Sequence, residues 1–87
     1  MPRVVSRAAA RNRADELLTK SNYLDGKQKE MCSTHTQFLL EIGDRCWNSG
    51  DGGIHGSTEL SAEEEDKYNA AIAFNDSLPS LMELGKG

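Results

Sequence analysis

The chain has 87 residues, 37% of them hydrophobic, and a formal net charge of −4, which leaves room for one small domain with a thin core. A domain of this size buries only about 60 to 65% of the surface its unfolded chain exposes, so self-association or a partner is a natural supplement to its stability. No apolar run approaches the ~18 residues of a membrane span, the opening residues lack the apolar stretch of a secretory signal, and two cysteines make no disulfide framework, so the expectation is a cytoplasmic chain that does not meet a membrane.

The charge is divided along the chain. Residues 1–30 carry net +3 and residues 31–87 carry net −7. Arg3, Arg7, Arg11 and Arg13 stand together with no acid among them, which predicts a basic N-terminal arm over 1–13. The same Arg- and Ala-rich stretch also resembles a mitochondrial transit segment. A helix is expected over 5–21 from the propensity of Ala8, Ala9, Ala10, Ala14, Leu17 and Leu18. At about 100° per residue, Arg3, Arg7 and Arg11 form a stripe that runs into the azimuth of Ala14 and Leu18. One face is therefore cationic early and apolar late, which predicts that only the second half packs and the first two turns project.

The clearest element is a helix over 25–47. Leu24, Met31, His35, Phe38, Leu39, Ile42 and Cys46 share one broad arc, Asp25 is a good cap residue, and Asn48, Ser49 and Gly50 favour termination. Gly43 is expected to loosen its last turns. Leu40 and Trp47 lie on the opposite face, where either a neighbouring helix or a partner must cover them, with Trp47 as the anchor in the second case.

Residues 48–58 hold four of the eight glycines and predict a glycine-rich loop. A third helix is expected over 61–76, opened by the capping box Ser61/Glu64 with Glu63, Glu65 and Asp66 complementing the helix dipole. Tyr68, Ala71, Ile72 and Asn75 mark its inner edge, and Ala70, Ala71 and Ala73 permit close approach of another helix. Pro79 ends it, and Ser80 to Leu84 add a short C-terminal turn stopped by Gly85. Leu78, Leu81, Met82 and Leu84 have the spacing of peptides that dock in grooves, but such spacing is common and a closing turn packed on the core is the better explanation. The predicted architecture is an all-α, single three-helix domain over 1–87, a helical hairpin with an N-terminal helix.

Chemistry is thinly represented. The 48–59 segment aligns on an EF-hand loop only with Gly50 and Gly52 at two ligand positions and His55 at the apolar one, so two ligand side chains are missing. Cys32, His35, Cys46 and His55 are zinc-type ligands, but the eleven residues from His35 to Cys46 rise about 16 Å along a helix, beyond one coordination sphere. The cysteines read as small buried hydrophobes and His35 as a core histidine bonded to a carbonyl or hydroxyl. No nucleophile elbow, phosphate loop or acid pair is present, so neither an enzyme nor a bound metal or cofactor is expected.

The function expected is therefore non-enzymatic: an adaptor, assembly subunit or inhibitor, of the kind common among phage and other viral accessory proteins, that meets another protein or a second copy of itself. Arg3, Arg7, Arg11, Arg13, Leu40 and Trp47 are the candidate partner-binding residues. The alternative is a nucleic-acid-associated protein whose N-terminal arginines contact phosphates without reading bases, since no aromatic residue interleaves them. The acidic run 63–66 of a second copy is one surface the arginines could meet, giving a homo-oligomer.

Overall fold

The computed structural model describes residues 3–48 and 56–86. Its elements are β1 (Arg3–Ser6), α1 (Arg7–Ser21), α2 (Gly26–Trp47), β2 (Ser57–Leu60), α3 (Ala62–Ser77) and α4 (Leu81–Gly85). The helices dominate as expected, but the fold is not purely α-helical. β1 and β2 form an antiparallel ribbon with Arg3 opposite Leu60 and Ser6 opposite Ser57, extended by the Arg7 N–H donating to the Gly56 carbonyl at 2.9 Å.

The predicted N-terminal helix over 5–21 accordingly begins two residues later. Val4 and Val5 are β-branched and lose side-chain freedom in a helix, whereas Ser6 holds extended backbone and its Oγ accepts from the Ala9 N–H at 3.1 Å, a helix N-cap. Residues 3–13 do not stand off from the body as an arm: Val5 and Ala10 are both buried in the core. The glycine-rich loop falls mostly on residues 49–55, outside the described residues, as does His55.

The hairpin is made by α1 and α2, not by the second and third helices as predicted. The short turn 22–25 joins α1 to α2 and is closed by Tyr23 N–H donating to Lys20 O and Leu24 N–H to Ser21 O, whereas the longer segment 48–61 separates α2 from α3. Gly26 completes the turn at φ +56°, a conformation that a side chain would strain. Ala10 and Ala14 let the two helix backbones approach closely, and α2 answers with Cys32, Thr36 and Gly43, all buried. The core side of α2 is thus rotated from the predicted arc. Leu39, Ile42 and Cys46 are buried, while His35 and Phe38 are half-buried and Met31 is 44% exposed. The small-residue face of α1 selects small partners, which hydropathy alone does not favour.

α3 begins with the capping box expected at Ser61 and Glu64. Tyr68, Ala71 and Asn75 are its buried residues, whereas Ala70 and Ala73 face outward. After Leu78, which is buried, Ser80 caps the short α4, whose Leu81 and Met82 are exposed. No described helix is long and apolar enough to cross a membrane.

Two polar side chains lie in this core. Lys20 is 3% exposed; its Nζ donates to the Asn75 carbonyl at 3.2 Å and lies 3.5 Å from Glu16 Oε1, which keeps the buried charge paired. The Asn75 side chain is 1% exposed, and neither its Nδ2 nor its Oδ1 has a hydrogen-bond partner among the described residues. A buried unsatisfied amide costs about 1–3 kcal/mol. Asn75→Leu, nearly the same shape without the polar atoms, is therefore expected to raise stability by about 1 kcal/mol, or roughly 4–8 °C in thermal midpoint for a domain this small. A lowered midpoint in thermal denaturation followed by circular dichroism would show that the amide is bonded after all.

Candidate functional site

The four candidate arginines, of which Arg3, Arg7 and Arg11 read as one stripe, divide between two neighbouring helices. Arg3 and Arg13 turn to α3. The Arg3 guanidinium lies 4.9 Å from the centre of the Tyr68 ring and donates to Asn69 Oδ1 at 2.8 Å, and Arg13 Nη1 is 3.7 Å from Asp76 Oδ1. These contacts are satisfied within the chain, and burial additionally pushes the Tyr68 hydroxyl pKa upward.

Arg7 and Arg11 turn to α2. The Arg7 guanidinium sits 4.9 Å from the centre of the Trp47 ring, a cation–π arrangement. The stem of Arg11 lies over Gly43, where a β-carbon would come within 3.3 Å of its Cδ, and its Nη2 is 3.9 Å from Asp15. Gly43 does not loosen the helix, which runs unbroken to Trp47; it makes room for this arginine stem.

Farther along the same seam, Leu18 and Leu40 line one groove with Ser21, Lys29, Ser33, Thr36 and Gln37. Helical spacing explains the alignment: Arg7, Arg11 and Leu18 recur at four and seven residues on α1, and Leu40, Gly43 and Trp47 at three and four on α2. The outer face of the hairpin therefore joins four of the candidates, Arg7, Arg11, Leu40 and Trp47. Neighbours cover these apolar groups only in part, for Leu40 is half-buried, Trp47 is 48% exposed and Leu18 is 56% exposed. Leu18, read from sequence as a packing residue, belongs to this face; its spacing from Arg11 was the available signal.

The Trp47 end of α2 is held by a polar clamp that sequence reading missed. Arg45 Nη1 donates to Glu64 Oε2 at 2.6 Å and Nη2 to Glu64 Oε1 at 3.1 Å, while Nε reaches Thr58 Oγ1 at 3.1 Å and Nη2 the Glu59 carbonyl at 3.0 Å. One guanidinium thus ties α2 to β2 and α3, in the forked geometry that favours arginine over lysine. Glu64 also accepts from the Ser61 N–H at 2.9 Å. Its pKa is held down to about 2, first by the Arg45 hydrogen bonds and then by the bond from the Ser61 backbone, and Glu64 in turn raises the pKa of Arg45. Glu64 was legible as a helix cap, but its partner nineteen residues earlier was not.

The thiols and imidazole occupy separate places. The Cys32 Sγ–H donates to the Leu17 carbonyl at 3.0 Å and the Cys46 Sγ–H to the Val5 carbonyl at 3.4 Å. Burial raises both thiol pKa values, away from the thiolate form needed for nucleophilic chemistry or metal ligation. His35 leans on Phe74 with ring centroids 5.1 Å apart, and burial lowers its pKa. It lines a second cleft, about 320 Å³, between α2 and α3 with Phe38, Glu41, Lys67 and Ala70. Among the described residues no group of three or more His, Cys, Asp or Glu side chains converges as metal ligands would. Comparison with known protein families, with characterised proteins and with solved structures gives no match to this chain.

Proposed function

We propose that this chain is a non-enzymatic interaction protein, an adaptor, assembly subunit or inhibitor, that binds another protein through the outer face of the α1–α2 hairpin. The observation that carries this reading is the convergence of Leu18, Leu40 and Trp47, still partly exposed, with Arg7 and Arg11 on one face. Tryptophan and arginine are the side chains that most often dominate binding energy at interfaces, and they do so when a surrounding apolar patch excludes water. Here they stand on two packed helices, so the backbone that carries them is already ordered before binding.

The test is affinity capture from cells that naturally produce the protein, comparing the wild type with Leu18→Ser and Leu40→Ser. Leu18 is mostly exposed, so Leu18→Ser is expected to keep the fold within about 0.5 kcal/mol while losing the captured protein. Equal capture by wild type and both variants would move the binding surface elsewhere. If the preparation instead retains DNA or RNA, with affinity falling steeply in salt and lost in Arg7→Gln/Arg11→Gln, the phosphate-binding alternative takes over.

A further inference from the structure

The two sides of α2 differ in charge and both carry partly open apolar surface. On the hairpin side stand Arg7 and Arg11 beside Trp47. On the α3 side, Phe38 and Ala70 are the apolar part of the cleft's lining. That lining carries one acid and one base, Glu41 and Lys67, and the flanking surface is acidic on balance: Glu30 and Asp44 outnumber Lys27 on the same exposed stripe of α2, and Glu63 and Asp66 stand on α3. The cation in the cleft, Lys67, is already drawn to Glu63 at 3.7 Å.

We infer that the α2–α3 cleft is the docking site for the hairpin face of a second copy of this chain, with Trp47 entering over Phe38 and Ala70 and Arg7 meeting Glu41. This rests on the reading of the hairpin face given above and names its partner. Charge complementarity carries the choice of occupant, because the chain supplies both a cationic aromatic face and a partly apolar cleft whose flanking surface is acidic on balance. A cleft of about 320 Å³ also suits one large aromatic anchor, and a half-exposed Trp47 retains much of the roughly 150–250 Å² that such a side chain buries.

The geometry of such a contact follows from where the two surfaces sit. Gln37 lines both the hairpin groove and the cleft, so the surfaces flank a single ridge of α2 and are different patches. A contact between unlike patches is heterologous, joining copies head to tail. Each added copy leaves one face and one cleft open, and association continues beyond the dimer unless the ring closes.

Sedimentation velocity of the full chain over a wide concentration range tests this. The wild type is expected to grow in mass past the dimer at low salt and to lose mass as salt screens the arginine–carboxylate contacts. Trp47→Ser, which removes the anchor, and Ala70→Arg, which fills the cleft from an exposed helical position, are each expected to be monomeric. Mixed, they should give a 1:1 dimer that grows no further, since only the intact cleft of one and the intact face of the other remain. Circular dichroism verifies the fold of each variant. Should Trp47→Ser fail to fold, Arg7→Glu keeps the indole and is expected to weaken association roughly tenfold or more.

A wild type that stays monomeric at every concentration overturns the inference, and so does a dimer that neither variant disturbs. In either case, capture of a different protein that depends on Leu18 would leave the hairpin-face reading standing.

Discussion

Deleting residues 1–13 is expected to unfold the domain rather than to trim an arm from it. The deletion removes β1, the Ser6 cap and the first two turns of α1, and with them the buried side chains of Val5 and Ala10. Burial of the valine alone is worth about 1.5–3 kcal/mol and the cap about 1 kcal/mol. β2 loses its only partner strand among the described residues, the Cys46 thiol loses its acceptor, and Tyr68 loses the guanidinium over its ring. The total, roughly 4–6 kcal/mol, is comparable with the whole stability expected of 87 residues, about 4–13 kcal/mol. Far-ultraviolet circular dichroism of the truncated chain should show lost helix and a non-cooperative melt. A cooperative melt near the wild-type midpoint would mean that the segment contributes little to the fold. Truncation therefore cannot separate a binding role from a folding role, and single substitutions at Arg7 or Arg11 are the sharper instrument.

Arg45→Ala should produce the second-largest loss, about 2–3 kcal/mol. The side chain is 41% exposed, so the ion pair alone is worth only about 1 kcal/mol. The larger part comes from the acceptors on Thr58 and Glu59 that lose a charged donor and from the junction of α2, β2 and α3 that the guanidinium spans. Arg45→Lys should recover less than half of this, because a single ammonium cannot make the forked contact to Glu64 while reaching β2.

Acidity gives a separate readout of the same clamp. The Glu64 carboxyl has its pKa lowered from 4.5 to about 2 in the folded chain, so the unfolded chain binds a proton in this range that the folded one resists. The clamp's stabilisation is complete above about 4.5 and is lost as the pH falls toward about 2. Urea melts at successive pH values should show this acid-dependent loss, about 1–2 kcal/mol after allowance for exposure, in the wild type and a flatter profile in Arg45→Ala. Identical slopes in the two proteins would remove Glu64 as its source.

Elements whose signals are local were legible in the sequence. The box at Ser61 and Glu64 announced the start of α3, and the apolar recurrence announced part of the core side of α2, Leu39, Ile42 and Cys46, but not its rotation toward Cys32, Thr36 and Gly43. The ribbon escaped because its strands are four residues long and lie far apart in the chain, which leaves too few alternations to register against helix propensity. For the candidate face, Arg7, Arg11, Leu40 and Trp47 could each be singled out by type and spacing, but not their assembly into one surface, nor the diversion of Arg3 and Arg13 to α3.

By itself, then, the sequence determined the mostly helical fold, the three long helices within one or two residues of their ends, and the segregation of basic from acidic charge. These depend on periodicity and capping, which act between residues within a turn or two of one another. Tertiary structure alone decided what the arginines face. Guanidinium groups are long and satisfied by whatever ring or carboxylate packing brings near, so the partners Tyr68, Trp47, Asp76 and Glu64 were set by how α1, α2 and α3 pack around the ribbon.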